Sequence, residues 1–575
     1  MRGWFRLVML SKKEAAFFFI GLCFTVFVLI RLYNHFWYPP DDGAYAHVAD
    51  RLLSGEVLNR DVQDVHMGYI NFCNAISLKW FGNNMASLRI PLAVCGILQA
   101  ALIFFLLRGR GAQVALTGMI LLTSLSFIQF LNPTANWYGL FITVVIIAVL
   151  YWVPSDTKWK CLLTGFLLIT LFLFRQLSGI FVSIGVVTYL LFNEERVDDL
   201  RRSYLSKFIF LIMAVGLAGY LVKKTTLSAI LLFGMVPVCI LVCGMLFGSA
   251  SNRRVIAILS RLLAGGVIGI VPLVVYHTYH GSISNWFHDT VYSALSLTEL
   301  SFIRGPSFLD NAIFCILSTI QDPSFDVILN GVFWLSLMFA PMVLGLLVIK
   351  MTRNQGGVDW KLAPLPVIAV FYALVSAHFQ IPIYLFYTSG LTLCGILWFL
   401  NFTNRLKKNL AIGVAVIIAV TGVYYHAAQP VDRPLNDVLQ GVRDSREKEF
   451  FEGNVKLWIT REDARDFGYL TELVNKHVAI DESIFAFPSD SELYYLTERT
   501  NPFRFFNSSF GVPNQQALDE ILSKLEKDPP RMVFFAPNDK YNTDASLEIA
   551  EYIKIHYDLI ESVNGLDCYL YQSEQ

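Results

Sequence analysis

Long apolar runs recur from the N-terminus to about residue 427, and they constrain the fold of this chain more than any other feature. The first run, 15–33, is long enough to cross ~30 Å of hydrocarbon as a helix. Residues of the AVILMFWYC set make up 55% of the 575 residues, whereas charged residues make up 16%, and the mean hydropathy is +0.52. This profile is typical of a polytopic membrane protein.

The length and composition of these runs predict about thirteen membrane-spanning helices. The predicted spans are 15–33, 85–107, 113–131, 137–153, 161–174, 177–192, 208–222, 227–247, 255–276, 326–349, 363–379, 381–400 and 410–427. Cations at positions 2, 6, 12 and 13 predict a cytoplasmic N-terminus and an uncleaved first span. An odd number of spans then places the C-terminal segment outside the cytoplasm.

The predicted fold is a polytopic all-α membrane bundle over residues 1–427, followed by a small extracytoplasmic α/β domain over residues 428–575. Strand-like runs in the second part, at 483–487, 532–536, 559–563 and 568–571, alternate with helical runs at 515–526 and 545–556. Residues 34–84 form a first external loop. Part of this loop has helical patterning that suits the membrane surface.

Net charge and cysteine spacing exclude several classes of protein. The chain has 45 Lys and Arg against 45 Asp and Glu, and no basic stripe that could follow a phosphate backbone. Nucleic-acid binding therefore has no support. The nine cysteines are scattered, mostly inside apolar runs, without CxxC spacing, so neither a disulfide framework nor a zinc site is predicted.

Two adjacent acids, Asp41 and Asp42, give the strongest local signal in the first external loop. They follow Pro39 and Pro40 at the start of the helical stretch, just beyond the first span. A carboxylate near the headgroup plane can act as a general base toward a hydroxyl when the electrophile is anchored in lipid. The alternative is helix capping, which contributes about 1 kcal/mol.

The residues around these acids resemble the first external loop of the GT-C membrane glycosyltransferases. The resemblance rests on P-D-D-x-x-Y-A at 40–46, LLSGE at 52–56, RDVQD at 60–64 and Gly-Tyr at 68–69. By pattern the loop is similar to the dolichyl-phosphate-mannose protein mannosyltransferases and to the bacterial lipid A aminoarabinose transferases, which carry P-D-E-x-x-Y-A. The multi-span bundle and the external tail extend the resemblance to the whole architecture.

The resemblance implies an enzyme that takes a sugar from a polyprenyl-phosphate carrier. It implies that Asp41 is the catalytic base. Asp42 stands where those families have Glu, and we assign it to the catalytic pair, where it would orient the acceptor or hold the loop. Their Lys-Pro-Pro before the Gly-Tyr is replaced here by residues 65–67, Val-His-Met. His66 can bind the donor phosphate in place of the missing Lys, or it can be a solvated loop residue. The resemblance also implies that the enzyme needs no metal or other cofactor.

Arg175 lies between two short apolar runs, at the predicted external end of a helical hairpin. Ionisable residues at membrane depth are costly and usually have a partner or face the bundle interior. A guanidinium suits bidentate binding of a phosphate, and the families named above often have Lys or Arg before Gln in this region. We predict that Arg175 binds the donor phosphate. The alternative is a side chain that extends to the headgroups.

Further candidates for acceptor or sugar binding lie in the external segments; they are Tyr45, Asp61, Asp64 and His378. The two acids can orient a substrate or can simply be solvated. The resemblance implies a His or an aromatic residue near the donor in the region of His378. The turn 132–137 can line the cavity, and the pair His288 and Asp289 lies in another external loop. For these two groups, and also for Asp61, Asp64 and His378, we favour a structural interpretation.

These patterns together predict an inverting glycosyltransferase of the bacterial inner membrane. Asp41 would take the acceptor proton, while Arg175 and His66 would stabilise the departing polyprenyl phosphate. The predicted partners are the lipid-linked sugar, membrane lipid and an acceptor that is a protein, a lipid or a wall glycan. The alternatives are a transporter or flippase of a lipid-linked solute, which should show broken inverted repeats, and a non-catalytic scaffold.

Overall fold

The computed structural model describes residues 10–154, 158–194, 200–247, 250–296, 306–353, 363–400, 405–428, 433–512 and 514–572. The cations at positions 2 and 6 lie outside the described residues. A bundle of helices extends to residue 428, and a domain with strands follows it. The predicted fold class, a helical membrane bundle with a small C-terminal α/β domain, is confirmed.

Each predicted span coincides with a helix of the bundle. These helices are Lys12–Leu32, Met85–Leu107, Ala112–Ser124, Ala135–Trp152, Lys158–Phe174, Gln176–Phe192, Leu200–Lys224, Met235–Phe247, Asn252–Tyr279, Phe325–Arg353, Pro364–Tyr372, Phe386–Trp398 and Arg405–Thr421. Among the described residues, nine helices are long and apolar enough to cross a membrane, and the chain is an integral membrane protein. The predicted number of about thirteen requires shorter apolar helices as well, such as Gln176–Phe192.

Shorter helices lie between and after the spans. They are Tyr69–Phe81, Ile283–Phe287, Ala294–Ser296, Phe308–Gln321 and Leu435–Gln440, whereas Leu227–Ala229 begins the span Leu227–Phe247. The first external loop also holds the helix Pro39–Leu53, which we call the loop helix. Two prolines begin it, because a proline in the first turn lacks only an N–H that would have no helical partner.

The apolar face of the loop helix packs against protein. Ala46, Val48 and Ala49 are at most 1% exposed. This face contacts the neighbouring helix Tyr69–Phe81 and a short helix of the C-terminal domain, Glu492–Thr497. The patterning that suggested a position on the membrane surface therefore reflects burial between the bundle and the C-terminal domain.

Gly43 is the point of closest approach between the loop helix and the C-terminal domain. A Cβ atom at this position would lie 2.5 Å from the backbone of Glu492, closer than van der Waals contact allows. The position next to Asp42 is therefore occupied by the one residue type that lets the two backbones meet.

Two long helices of the bundle, Lys158–Phe174 and Asn252–Tyr279, also pack backbone to backbone. Cβ atoms added at Gly165 and Gly265 would overlap the main chain of the facing helix. Small residues at such a crossing allow close helix contact in a membrane. This contact fixes the external end of the first helix, where Arg175 follows.

The C-terminal domain contains two sheets. Strands β1 (Lys448–Phe451) and β2 (Leu457–Thr460) form an antiparallel pair. Strands β3 (Ile484–Phe487), β4 (Met532–Phe535), β5 (Tyr557–Val563) and β6 (Leu566–Tyr571) form a sheet in the order β3-β4-β6-β5, in which only β3 and β4 are parallel. The helices of the domain are Arg461–His477, Glu492–Thr497, Ser508–Gly511, Gln515–Lys527 and Asp544–His556.

The four predicted strands and both predicted helices of this domain are confirmed. Strands β3 and β4 are apolar at every position because both faces of the sheet are covered: Phe485 and Val533 belong to one core, whereas Ala486 and Phe534 belong to another. The sequence did not predict β1, β2 or the helix Arg461–His477.

Main-chain hydrogen bonds join the C-terminal domain to the exit of the first membrane helix. The N–H of Phe36 donates to the carbonyl of Trp458 at 2.6 Å, and the N–H of Trp458 donates to the carbonyl of Asn34 at 2.8 Å. Trp37 also donates from Nε1 to Asp463 at 3.3 Å. The domain therefore holds the segment that leads directly into the loop helix.

Candidate active site

Asp42 lies in the first turn of the loop helix and is 1% exposed. Its Oδ2 accepts the backbone N–H of Tyr38 at 2.8 Å, and its Oδ1 accepts Nη2 of Arg89 at 3.0 Å. Arg89 is fully buried and also donates to the carbonyl of His35 at 3.2 Å. This ion pair fixes the loop helix on the bundle. Because both oxygens of Asp42 are used in capping and pairing, the contacts favour the role of holding the loop, and a role of Asp42 in the reaction stays a prediction.

Asp41, its neighbour, lines a cavity of about 180 Å³, which we call the Asp41 cavity. Nδ2 of Asn132 donates to Oδ2 of Asp41 at 2.9 Å. Burial and the negative charge of Asp42 raise the pKa of Asp41 to about 6. A carboxylate whose pKa lies this near neutral pH can accept a proton during a reaction and release it afterwards. Asp41 therefore has the environment of a general base.

The rest of the Asp41 cavity is built by the first external loop and by the C-terminal domain. The loop contributes Pro40, Ala44, Tyr45, Gln63, Asp64, Val65 and His66. The C-terminal domain contributes Ser489, Phe506, Asn507, Phe510 and Tyr541. A substrate in this cavity would therefore touch both parts of the chain.

Three residues that the sequence singled out, Tyr45, Asp64 and His66, line the Asp41 cavity. The hydroxyl of Tyr45 donates to Oγ1 of Thr134 at 3.2 Å. Oδ1 of Asp64 accepts the backbone N–H of His66 at 3.0 Å and lies 2.8 Å from its Nδ1. Burial alone would raise the pKa of Asp64, but its interactions with His66 outweigh burial and lower the pKa. The Asp64 anion orients the imidazole and leaves its Nε2 for another partner.

A second cavity, of about 240 Å³, lies beside the first, and we call it the Arg175 cavity. Its walls are mainly apolar, with contributions from Phe172, Leu177, Ile180, Val291 and Leu295. Its basic side chains are His66, Arg175, Lys224 and His378. Val65 and His66 line both cavities, so the two spaces meet at these residues.

Arg175 occupies the non-helical junction between Lys158–Phe174 and Gln176–Phe192. Its Nε is buried and has no hydrogen-bond partner among the described residues. The next residue, Gln176, donates from Nε2 to the carbonyl of Val65 at 3.0 Å, which holds the shared wall of the cavities against this junction. A buried donor without a partner is costly, so the junction is prepared for an acceptor such as a phosphate oxygen.

Two of the residues predicted to bind acceptor or sugar are placed elsewhere. His378 lines the Arg175 cavity, where its Nδ1 lies 3.0 Å from the hydroxyl of Tyr220. Asp61 lines neither of these two cavities. Its carboxylate accepts the N–H of Val57 at 2.8 Å and pairs with the exposed Arg60, so it stabilises a turn. These contacts favour the structural alternative for Asp61, and its assignment to a substrate stays a prediction.

The loop residues 59–66 are held in place by the buried side chain of Asp289. Its Oδ2 accepts Nδ2 of Asn59 at 3.0 Å and pairs with Arg504 of the C-terminal domain. Its Oδ1 accepts Nε2 of Gln63 at 3.3 Å. One carboxylate thus joins the first external loop, the segment after Asn252–Tyr279 and the C-terminal domain. The structural interpretation of Asp289 agrees with these contacts.

Several residues of the site were not predicted. Arg89 had one signal, a single cation inside an apolar run. Asn132 was interpreted as part of a turn, and its contact with Asp41 has no local signature. No sequence signal pointed to the cavity residues of the C-terminal domain, such as Phe506 and Tyr541, because they are 400 residues or more from Asp41 along the chain.

No group of three or more His, Cys, Asp or Glu side chains within the described ranges is arranged to hold a metal ion. The Asp41 cavity contains the carboxylates of Asp41 and Asp64, and the Arg175 cavity contains the cations Arg175 and Lys224. The absence of a cofactor stays a prediction, because neither cavity tests it.

Comparison with known families gives a match over part of the chain. Residues 69–223 match the model of the dolichyl-phosphate-mannose-protein mannosyltransferase family. The match includes Arg175 and ends before His378. No curated protein matches the chain.

Solved structures with a similar arrangement were also found. The apo oligosaccharyltransferase of Archaeoglobus fulgidus is 12% identical, with 91% of this chain and 69% of that chain covered and a TM-score of 0.44. ArnT from Cupriavidus metallidurans bound to undecaprenyl phosphate is 12% identical, with 97% and 98% covered and a TM-score of 0.39. The family match over residues 69–223 confirms the predicted resemblance to the membrane mannosyltransferases and indicates that the chain is a glycosyltransferase.

Proposed function

We propose that this chain transfers a sugar from a polyprenyl-phosphate carrier to an acceptor on the extracytoplasmic side of the membrane. The observation that carries the proposal is the meeting of two unlike cavities at Val65 and His66. The Asp41 cavity offers a general base, and the Arg175 cavity offers apolar walls with cations. A lipid-linked sugar phosphate matches the Arg175 cavity, because its apolar chain can contact the apolar walls and its charged phosphate can contact the cations. The name of the matched family also describes a dolichyl-phosphate-linked donor.

The donor would occupy the Arg175 cavity. Its prenyl chain would contact the apolar walls, and its phosphate would accept hydrogen bonds from Arg175 and from Nε2 of His66. A guanidinium binds phosphate oxygens well because its donors lie in one plane. His66 lies at the boundary of the cavities, so the anomeric carbon of the sugar would lie near the Asp41 cavity.

The acceptor would enter the Asp41 cavity between the first external loop and the C-terminal domain. Asp41 takes a proton from the acceptor hydroxyl or amine as the acceptor atom bonds to the anomeric carbon. The bond between that carbon and the phosphate oxygen breaks, and its electron pair leaves with the phosphate. The base and the leaving group lie in separate cavities, which supports displacement with inversion. Asn132 orients the Asp41 carboxylate for this step.

Sugar transfer in membranes tests the proposal. Membranes with the full chain, supplied with radiolabelled polyprenyl-phosphate sugars of several kinds, should move label from one donor into an acceptor fraction. We expect no added metal or organic cofactor to be required, so chelation should leave the rate unchanged. A chain that binds such donors but transfers none of them would contradict the proposal. We also place this reaction at the outer face of a bacterial inner membrane, with the N-terminus cytoplasmic.

The rate of transfer should depend on pH through Asp41, which must be ionised to accept a proton. Because its pKa is raised to about 6, kcat/KM should be level above that pH and fall about tenfold per unit below it. The hydrogen bond from Asn132 lowers the pKa of Asp41, so Asn132→Ala should move the acid limb to higher pH. A wild-type limb near pH ~4, the value of an ordinary Asp, would contradict this assignment.

Replacement of Arg175 should weaken donor binding. Hydrogen bonds to charged groups contribute roughly 1.5–3 kcal/mol, so Arg175→Ala should raise the KM for the donor by roughly 10- to 100-fold, with partial recovery of rate at high donor concentration. Arg60→Ala is the matched control, because Arg60 is exposed in the first external loop and lines neither cavity. An unchanged KM in the Arg175 variant would remove this residue from the donor site.

A further inference from the structure

A third cavity, of about 250 Å³, separates the start of the loop helix from the C-terminal domain. Four acidic side chains line it: Asp463, Asp466, Asp490 and Glu492. It shares Pro40 with the Asp41 cavity but lacks Asp41, His66 and Arg175. The proposed transfer reaction makes no use of this space, which we call the acidic cavity.

Glu492 is buried and Asp490 is partly buried, and neither carboxylate has an ion-pair partner among the residues that the structure describes. Glu492 is 2% exposed, and its Oε2 has no hydrogen-bond partner among the described residues; the same is true of Oδ2 of Asp490. Burial and the negative charge of Asp539 raise the pKa of Asp490 to about 7. Burial and the negative charges of Asp490 and Asp539 also raise the pKa of Glu492. Buried carboxylates are costly unless a cation or a proton neutralises them.

The other two acids are already engaged. Oδ2 of Asp463 accepts Nε1 of Trp37 at 3.3 Å. Asp466 pairs with Arg465 at 2.8 Å. Asp490 and Glu492 are therefore the two acids of this cavity whose carboxylates can accept a bound cation.

Aromatic rings complete the lining; they are Phe36, Trp37, Tyr38 and Phe467. Trp37 and Phe467 form an edge-to-face pair with centroids 4.9 Å apart. Aromatic faces attract organic cations, and the attraction grows when the cation is desolvated. The described residues form no group of three ligands that could hold a metal ion, so the chemistry favours an organic cation.

We propose that the acidic cavity binds the ammonium group of a small aliphatic amine. The ammonium would lie between the carboxylates of Asp490 and Glu492, and its carbon chain would lie against the aromatic rings. The volume of the cavity suits a molecule of a few carbon atoms better than a single ion. Because Glu492 touches Gly43, bound amine would also strengthen the contact between the C-terminal domain and the loop helix.

Putrescine is a suitable probe, and 1,4-butanediol is its uncharged analogue. Isothermal titration of the full chain in detergent should show saturable binding of putrescine at constant ionic strength and none of the diol. Bound putrescine should also raise the unfolding temperature, and the increase should grow with the logarithm of the putrescine concentration above the dissociation constant. Glu492→Gln keeps the size of the side chain and should weaken binding at least tenfold. Glu526→Gln, an exposed acid outside this cavity, is the control and should bind as the wild type does.

The outcomes separate the alternatives. No saturable heat with wild-type protein overturns the proposal, as does equal binding of the diol. Equal affinity in the Glu492 and Glu526 variants also overturns it, because binding then lies elsewhere. Tighter binding of Mg²⁺ or Ca²⁺ than of putrescine would identify a metal site instead. Should Glu492→Gln not fold, Asp490→Asn provides the same comparison. Sugar transfer can fail in every assay without affecting this result.

Discussion

Asp41→Asn should reduce kcat for sugar transfer by about 10²- to 10⁴-fold, the usual contribution of a general base. The amide keeps the size of the side chain, and the hydrogen bond with Asn132 can be retained, so the fold should not change. The amide cannot accept a proton at neutral pH. Initial rates at saturating donor and acceptor, in membranes with matched amounts of protein, measure the effect.

Asp61→Asn is the matched control for this variant. Asp61 lies in the same external loop and lines neither the Asp41 nor the Arg175 cavity. Its replacement should leave kcat within about twofold, since exposed ion pairs contribute only ~0–1 kcal/mol. Equal rates for the Asp41 variant and wild type would remove the base from the mechanism. Loss of transfer in both variants would indicate damage to the loop rather than to the chemistry. A transporter or a scaffold has no requirement for this one ionised carboxylate.

The second large effect is expected at Arg89. Arg89→Ala leaves the carboxylate of Asp42 buried without its cation, and breaking a buried pair in this way costs about 3–5 kcal/mol. The free energy of unfolding should fall by that amount, because the loop helix loses its buried ion pair with the bundle and the charge of Asp42 stays buried. Titration of purified protein with sodium dodecyl sulfate, followed by tryptophan fluorescence, measures the difference.

Two further variants test whether the lost charge balance is the cause. Arg89→Gln combined with Asp42→Asn removes both charges and should be more stable than Arg89→Ala alone, since no unpaired ion remains. Arg60→Ala breaks an exposed pair and should lower stability by less than ~1 kcal/mol. Arg89→Ala with the stability of wild type would show that the pair contributes little.

Local patterns predicted the secondary structure well. Each predicted span coincides with a helix because length and hydropathy are properties of a single segment. Strands β3 to β6 were found because their apolar runs lie between turn signals. The helix Arg461–His477 was missed because it is mostly polar, although its sequence carries local signals: Thr460 caps its first turn, acids follow the cap, and Lys476 and His477 lie in its last turn. The helical pattern of the loop helix was predicted, but its apolar face alone could not show that the bundle and the C-terminal domain pack against it.

The sequence by itself determined the membrane bundle, and it singled out Asp41, Tyr45, Asp64, His66 and Arg175, which line the two cavities. These follow from composition and from motifs a few residues long. The tertiary structure decided the rest. In the folded chain Asp42 pairs with Arg89, and Asn132 donates a hydrogen bond to Asp41. Asp61 accepts a hydrogen bond within a turn, and His378 lines the Arg175 cavity. The burial of a side chain and its pairing with a residue far away in the sequence arise only when the chain has folded, so a local sequence pattern cannot predict them.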